Sequence, residues 1–167
     1  GNAGNITAYW KGYREYQTAG ISESLPKMWG FQAAGSAPIV EGRIITEPDT
    51  IATAIRIGNP ASWTLAEEAR DESGGRISAV TDLQILAAQR NLGAKEGIFV
   101  EPGSAASVAG LVAAAEAGEV EPGQTITVTV TGHGLKDIDT ALSHRDPIEP
   151  IVIEFDVQAA AKAAGLE

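Results

Sequence analysis

The spacing of apolar residues predicts two long amphipathic helices. In each, apolar residues recur at i, i+3, i+4 and i+7, which places their side chains on one face of a helix. These residues are Ile6, Tyr9, Trp10 and Tyr13 in the first helix, and Val108, Leu111, Val112 and Ala115 in the second. Gly20 is placed to end the first helix, because glycine readily adopts the left-handed conformation found there.

Shorter helices are predicted from end signals. Thr81 and Gln84 form a capping box, which satisfies backbone N–H groups at a helix N-terminus. Ser62 and Asp156 are also placed to cap helices. The helices predicted in this way cover residues 63–72, a stretch after Thr81 with Ile85, Ala88 and Leu92 on one side, and a final stretch that ends at Gly165; a brief helix is expected at 37–40.

Four stretches are predicted as strands: 27–33 as a short buried strand, and the other three from their β-branched and apolar composition. They are 27–33, 50–57, Arg76–Val80 and 125–131, the last with the alternating sequence TITVTVT. Because strands alternate with helices, the sequence predicts an α/β fold in which a parallel sheet lies between two helical layers, a three-layer αβα arrangement. In such sheets, ligands lie beyond the carboxyl ends of the strands. Residues 143–150, with two prolines and mixed charge, are expected to form a surface segment.

The net charge excludes several kinds of partner. The chain has 12 basic and 22 acidic residues, a formal net charge of −10, so its surface repels nucleic acids and anionic membranes. No apolar run approaches the roughly 18 residues that a membrane span needs, and no signal peptide is expected. The absence of cysteine excludes disulfides and thiolate chemistry and agrees with a cytoplasmic location.

A glycine-rich loop precedes the first predicted helix. It consists of Gly1, Asn2, Ala3, Gly4 and Asn5. Glycines let the backbone bring several N–H groups to one point, and the helix N-terminus adds the positive end of its dipole. A phosphate dianion is the natural ligand, and a plain glycine turn or helix cap is the alternative. Because such a loop normally follows a strand and no Met precedes it, we expect a processed or truncated product.

A second glycine-rich turn, Thr131-Gly132-His133-Gly134, follows the last predicted strand. Its glycines allow a flat ligand to approach the backbone, and the Thr131 hydroxyl can donate to or accept from a ring nitrogen. The alternative is a tight turn in which Thr131 bonds locally. His133 is one of two histidines in a chain without cysteine, so no metal site is predicted, and a solvent-exposed His133 is favoured.

Five sequence blocks carry a family resemblance. They are GNAGNITAYWKGY, FQAAGSAP, TIATAIRIGNPASW, EPGSAASVAGL and TGHGLKD. In their order and spacing the chain resembles the monofunctional bacterial threonine synthases over nearly its whole length. These are pyridoxal 5'-phosphate (PLP) enzymes of fold type II, built like the tryptophan synthase β-subunit. The resemblance implies a PLP-dependent lyase that converts O-phospho-L-homoserine and water into L-threonine and phosphate, the last step of threonine biosynthesis.

The resemblance assigns roles to individual residues. Gly1 to Asn5 match the loop that grips the PLP phosphate, and Thr131 matches the hydroxyl residue that bonds the pyridine nitrogen. Ala54 matches a residue near the substrate and the cofactor ring. Asn2 is in addition a candidate for contact with the phosphate of the substrate.

Residues 101–104 are expected to form a turn. In the family that the chain resembles, the Glu101-Pro102 part of this turn lies near the ring edge. The family usually has alanine where this chain has Gly103. We expect Gly103 to loosen the turn without abolishing binding.

The resemblance also implies that an essential group is missing. The Schiff-base lysine of the family, and the asparagine that bonds the 3'-oxygen of the cofactor, come from the part before residue 1. None of the lysines present is assigned to that role; they are Lys11, Lys27, Lys95, Lys136 and Lys162. Residues 1–167 are therefore expected to be the C-terminal, PLP-binding portion of the enzyme, without a catalytic residue and inactive alone. We expect association with the missing N-terminal part, or self-association as a homodimer.

Two other functions stay open. A threonine or serine dehydratase, or another β-replacement enzyme of the same fold, would share the PLP site, although TIATAIRIGNPASW favours threonine synthase. A non-catalytic domain that binds a phosphate-bearing ligand would share only the phosphate loop. Visible absorbance distinguishes this last function, because PLP bound as a Schiff base absorbs visible light and phosphate does not.

Overall fold

The computed structural model describes residues 1–143 and 149–166. Two strands, β1 (Trp29–Ala33) and β2 (Arg76–Val80), pair in parallel with Trp29 opposite Arg76 and Ala33 opposite Val80. The helices are α1 (Gly4–Thr18), α2 (Pro38–Glu41), α3 (Trp63–Glu72), α4 (Asp82–Asn91), α5 (Pro102–Glu116), α6 (Ile138–Ser143) and α7 (Val157–Ala163). Of the predicted surface segment 143–150, residues 144–148 lie outside the described residues.

Helices cover both faces of the sheet. Neighbouring residues of a strand point to opposite faces. At Gly30, a Cβ atom would lie 3.3 Å from Cδ1 of Ile6 on α1. At the next residue, the Phe31 ring lies so close to Gly110 of α5 that a Cβ atom on Gly110 would overlap it. Because α1 covers one face and α5 the other, the predicted α/β fold with a central parallel sheet is confirmed.

Each face has its own hydrophobic core. The core under α5 is built from small and branched residues, which let helices and sheet approach closely; it includes Ala33, Val80, Ile85, Ala88, Val100, Ala105 and Ala109. The core under α1 contains Trp10, Met28 and Ala69, with Ile6 and Leu25 packed against it. The indole N–H of Trp10 donates to the Glu72 carboxylate at 2.7 Å, so the polar edge of this ring is satisfied.

The predicted end signals are mostly confirmed. Thr81 and Gln84 form the capping box at the start of α4. The Asp156 carboxylate accepts the N–H of Ala159 at 2.9 Å at the start of α7. Ser62 precedes α3 as predicted, but its side chain makes no capping hydrogen bond. None of the helices in the described ranges is both long and apolar enough to cross a membrane.

Two of the four predicted strands are wrong. Residues 50–57 contain a 3-10 turn, Thr53–Ile55, and residues 125–131 pair with no strand in the described part of the chain. A strand needs a neighbour whose backbone groups are free. In 50–57 the backbone groups bond to side chains and to carbonyls of the same segment. In 125–131 the Thr131 N–H and the Thr129 carbonyl bond to side chains of α5. The predicted turn at 101–104 is also wrong, because Glu101 is the N-cap of α5 and Pro102 its first residue.

Candidate functional site

Residues 50–57 lie beyond the carboxyl end of β1. Ser36, which follows that strand, donates its hydroxyl to the carbonyl oxygens of Ile55 and Ile57, each at 3.2 Å. Its oxygen also accepts the N–H of Ile57 at 3.0 Å. Ser36 is almost completely buried, at 1% exposure. These bonds replace the ladder of a strand, and they hold the segment at the sheet edge where parallel α/β folds bind ligands.

The same segment is also held by a carboxylate at the start of α4, the helix that follows β2. Asp82, the first residue of α4, accepts the hydroxyl of Thr50 at 2.5 Å and the N–H of Ile51 at 3.1 Å. The Thr50 oxygen in turn accepts the N–H of Ala52 at 3.1 Å. Hydrogen bonds to a charged group are stronger than those between neutral groups, so Asp82 fixes the backbone that leads to Ala54.

The glycine-rich loop ends in free backbone donors. Ala3 has a positive φ of 62°, which is uncommon for a residue with a side chain, so the chain turns sharply before α1. No side chain caps this helix, and within 1–143 and 149–166 the N–H groups of Gly4, Asn5 and Ile6 have no acceptor. A Cβ atom on Gly4 would meet nothing within 4 Å. Donors gathered at an open helix N-terminus form an anion site.

Asn2 links the loop to the turn before α3. Its side-chain oxygen accepts the N–H of Ala61 at 3.2 Å, and its backbone carbonyl accepts the N–H of Ser62 at 3.1 Å. The carbonyl end of the side chain is therefore used inside the protein. Its NH2 group makes no hydrogen bond in the described ranges, and this group is the part of Asn2 that can reach an anion.

Three segments meet at Ala54. A Cβ atom on Gly1 would lie 3.5 Å from the Ala54 carbonyl oxygen, and one on Gly103 would lie 3.2 Å from the Ala54 Cβ atom. The loop, the segment 50–57 and the first turn of α5 are thus in contact. The methyl group of an alanine at position 103 would press on Ala54, so Gly103 gives this residue room.

Thr131 is attached to the same turn of α5. Its N–H donates to the hydroxyl oxygen of Ser104 at 2.8 Å, and Ser104 directly follows Gly103. Thr131 is exposed, and its own hydroxyl makes no hydrogen bond to any described residue. In the alternative prediction, the Thr131 hydroxyl bonds to a neighbouring residue within a tight turn, and no such bond is seen among the described residues. The hydroxyl is therefore available to a ligand.

The glycines at 132 and 134 serve packing within the protein. A Cβ atom on Gly132 would overlap the Glu101 side chain, and one on Gly134 would overlap the Phe99 ring. The N–H of Glu101 donates to the Gly132 carbonyl at 3.0 Å, and the N–H of Gly134 to the Phe99 carbonyl at 3.1 Å. Glycine was expected at these positions because it would let a flat ligand approach the backbone. The structure gives a different reason, because side chains of the protein itself fill the space that a Cβ atom would need.

His133 is exposed and bonds locally. Its Nδ1 accepts the N–H of Leu135 at 3.1 Å, and its ring packs edge-on against Phe99 at 5.7 Å between centroids. In the part of the chain that the structure describes, no cluster of three metal-ligating side chains occurs.

Sequence reasoning missed three residues that hold the site together: Ser36, Asp82 and Ser104. Each bonds a segment far away in the sequence, so no local pattern marks its role. The one available signal is position, because Ser36 and Asp82 lie three and two residues after the end of a strand and Ser104 lies in the first turn of a helix. Gly1 contacts Ala54, and Ala54 and Thr131 contact Gly103 and Ser104 of α5. Among the described residues, no hydrogen bond links Thr131 to the loop itself.

The free donors of α1 lead to a prediction about anions. Inorganic phosphate should bind at Gly4, Asn5 and Ile6, because their N–H groups lack acceptors and the helix dipole favours negative charge. In an NMR titration, the amide signals of these residues should shift more than those of residues at the end of α1.

The matched variants of this test are Gly4→Asp and Gly12→Asp. Both add one negative charge to α1, and neither position has an atom within 4 Å of an added Cβ. The first places its charge beside the donors and should abolish the shifts, while the second should leave them. Equal effects of the two variants would show that phosphate responds only to overall charge.

Comparisons with known proteins give a consistent result. The family profile described as pyridoxal-phosphate dependent enzyme matches residues 1–132. The threonine synthase of Mycobacterium leprae is 56% identical over 154 residues, which are 92% of this chain and 43% of that protein. The threonine synthase of Halalkalibacterium halodurans is 55% identical over 159 residues, 95% of this chain and 44% of that protein. The chain thus spans less than half the length of these relatives.

Among solved structures, the chain resembles the T.th. threonine deaminase with a TM-score of 0.58. The identity is 22%, and the match covers 90% of this chain and 49% of that one. At this identity the likeness concerns the fold alone. It agrees with the fold that the sequence predicted.

Proposed function

Because the chain belongs to the pyridoxal-phosphate dependent enzymes, we propose that it forms the cofactor-binding C-terminal part of a threonine synthase. The reaction is conversion of O-phospho-L-homoserine and water into L-threonine and phosphate. The observation that carries the proposal is a series of contacts: Gly1 of the glycine-rich loop contacts Ala54, and Ala54 and Thr131 both contact the first turn of α5. The similarity to two threonine synthases, at 55% and 56% identity, supports the choice of substrate.

The residues present fit PLP at both of its ends. The phosphate group needs several N–H donors, and those of Gly4, Asn5 and Ile6 lack acceptors in the described ranges. The ring nitrogen needs a single polar neighbour, and the Thr131 hydroxyl is unpaired among the same residues. When bound, PLP withdraws electrons from the carbon atoms of the substrate that lose protons.

The residues of this chain bind and orient. The N-terminus of α1 holds the phosphate group by charge and hydrogen bonds. Ala54 presents a small side chain to the substrate side, where Ser36 and Asp82 hold its segment. The Thr131 hydroxyl contacts the ring nitrogen as a neutral group, so it does not force protonation there as a carboxylate would.

The amine that anchors the cofactor belongs, in this proposal, to the part of the relatives that the chain does not match, here called the completing segment. Lys11 lies 3.8 Å from Glu15 on the solvent side of α1, with a side-chain exposure of 77%. Lys136 follows the Thr131 turn but is exposed, in a 3-10 turn. None of the five lysines is assigned to the anchor.

Exposed apolar residues support the proposal that a completing segment or a second copy of the chain binds to this surface. Several side chains near the end of the chain are more than 70% exposed: Ile151, Val152, Phe155 and Val157. Among the described residues the sheet has two strands, so its outer strand edges are unpaired there. We propose that the completing segment covers these surfaces and that the assembled enzyme is a cytoplasmic homodimer that acts in threonine biosynthesis.

The test uses the chain co-expressed with the completing segment of the Mycobacterium leprae relative, here called the assembled enzyme. With O-phospho-L-homoserine and PLP, it should release threonine and phosphate in equal amounts. A dehydratase-like enzyme would instead release ammonia from threonine or serine. A non-catalytic domain would bind the phosphate compound without product. Either of these results would reject the proposal.

A further inference from the structure

We infer that Ser104 is the positioning residue for Thr131, a role that rests on the proposed contact of Thr131 with the ring nitrogen. The Ser104 oxygen accepts the Thr131 N–H at 2.8 Å. This bond crosses 27 residues of sequence. It joins to a helix a segment that pairs with no strand in the described part of the chain. It sets the backbone from which the Thr131 hydroxyl projects.

The segment before Thr131 has little else to hold it. Residues 125–131 belong to no strand, and most of their side chains are exposed. A weaker bond, from the Ser107 hydroxyl to the Thr129 carbonyl at 3.4 Å, is the other link to α5. In a sheet, such a segment would be fixed by a ladder of backbone hydrogen bonds. Here the buried hydroxyl of Ser104 fixes the segment at Thr131.

Ser104 is itself held rigidly. Its side chain lies in a residue that is only 3% exposed, its N–H donates to the Glu101 carbonyl at 3.0 Å, and its carbonyl accepts the Ser107 hydroxyl at 2.9 Å. The helix that carries it packs on the sheet through Gly110 and Phe31. A donor or acceptor fixed by its surroundings orients its partner far better than a mobile one.

Removal of the Ser104 hydroxyl has a defined consequence. In Ser104→Ala, the Thr131 N–H loses its acceptor and the segment gains freedom. The Thr131 hydroxyl then spends less time in the orientation that reaches the ring. Affinity for PLP should fall about ten-fold, the size expected for one lost hydrogen bond.

The control is Ser73→Ala. The Ser73 hydroxyl also accepts a backbone N–H, that of Met28, at 3.0 Å, but it lies after α3, away from the site. Both variants lose the same kind of bond. In hydrogen exchange on the chain, Ser104→Ala should speed exchange at Thr131 at least several-fold, and Ser73→Ala should not.

The deciding measurement is a double-mutant cycle on the assembled enzyme, read as the affinity for PLP and the visible spectrum of the bound cofactor. If Ser104 acts through the Thr131 hydroxyl, then adding Ser104→Ala to Thr131→Val should cost almost nothing further. Fully additive losses would overturn the inference, since they would indicate a general structural role. So would a Ser104→Ala variant with unchanged affinity and spectrum while Thr131→Val is impaired. If Thr131→Val itself binds PLP normally, the proposed role of Thr131 fails, and the inference falls with it.

Discussion

No turnover is expected when the 167-residue chain is incubated alone with PLP and O-phospho-L-homoserine. Covalent catalysis by PLP needs an amine that anchors the cofactor and then moves protons at the reacting carbons. Proton transfer by a positioned group contributes roughly a hundred- to ten-thousand-fold by itself. If the completing segment supplies part of the pocket, as proposed, the chain alone also lacks its water exclusion and substrate positioning, so the rate should fall below detection.

The measurement follows phosphate release in three samples: the chain alone, the completing segment alone and the two together. Only the mixture should release phosphate and acquire the visible absorbance of bound PLP. The intact mass of each sample identifies its polypeptides. Threonine formation by a sample containing only this chain would contradict the prediction and would mean that one of its five lysines anchors the cofactor.

The second large effect is expected for Thr131→Val in the assembled enzyme. Valine keeps the branched shape of threonine and removes only the hydroxyl, so the fold should be retained. Thr131 is exposed, and its N–H bond to Ser104 at 2.8 Å does not involve the side chain. Without the hydroxyl, the ring nitrogen would lose its proposed polar neighbour, and kcat/KM should fall about ten- to a hundred-fold.

The matched control for this variant is Thr129→Val. Thr129 lies two residues earlier in the same extended segment, is exposed, and contributes its backbone carbonyl to the bond with Ser107. Its replacement should leave kcat/KM within about two-fold of the parent, the scatter expected of a surface substitution. An unchanged kcat/KM in Thr131→Val would remove Thr131 from the site, and equal losses in both variants would point to a disturbed segment.

Features of the fold that depend on neighbouring residues could be predicted from the sequence. The capping box at Thr81, the helix stop at Gly20 and the β2 bounds all follow from local chemistry, and the structure confirms them. The strands at 50–57 and 125–131 were wrong because a strand is defined by its partner. The composition of a segment indicates that it can adopt an extended conformation. It does not indicate whether another strand with free backbone N–H and C=O groups will lie beside it.

The candidate site shows the same division. The loop before α1 can be predicted as a candidate phosphate site because a glycine-rich stretch and a helix start are adjacent in the sequence. The proposed roles of Ala54 and Thr131 rest on the family resemblance. Ser104 was not readable, since its bond to the Thr131 N–H spans 27 residues. The sequence shows that residue 132 is a glycine, but it does not show why a glycine is needed there. The reason is that the Glu101 side chain lies in the space that a Cβ atom would fill.

Helix α5 takes part in both the hydrophobic core and the site. Gly110 faces the Phe31 ring on one turn, while Gly103 and Ser104 hold Ala54 and Thr131 about two turns earlier. A larger residue at 110 would have to push the helix off the sheet, because packed interiors do not absorb added volume. This displacement of α5 would also move its first turn, which contains Gly103 and Ser104. A change in the core at Gly110 is therefore expected to move the candidate site residues Ala54 and Thr131 as well, because one helix contacts both.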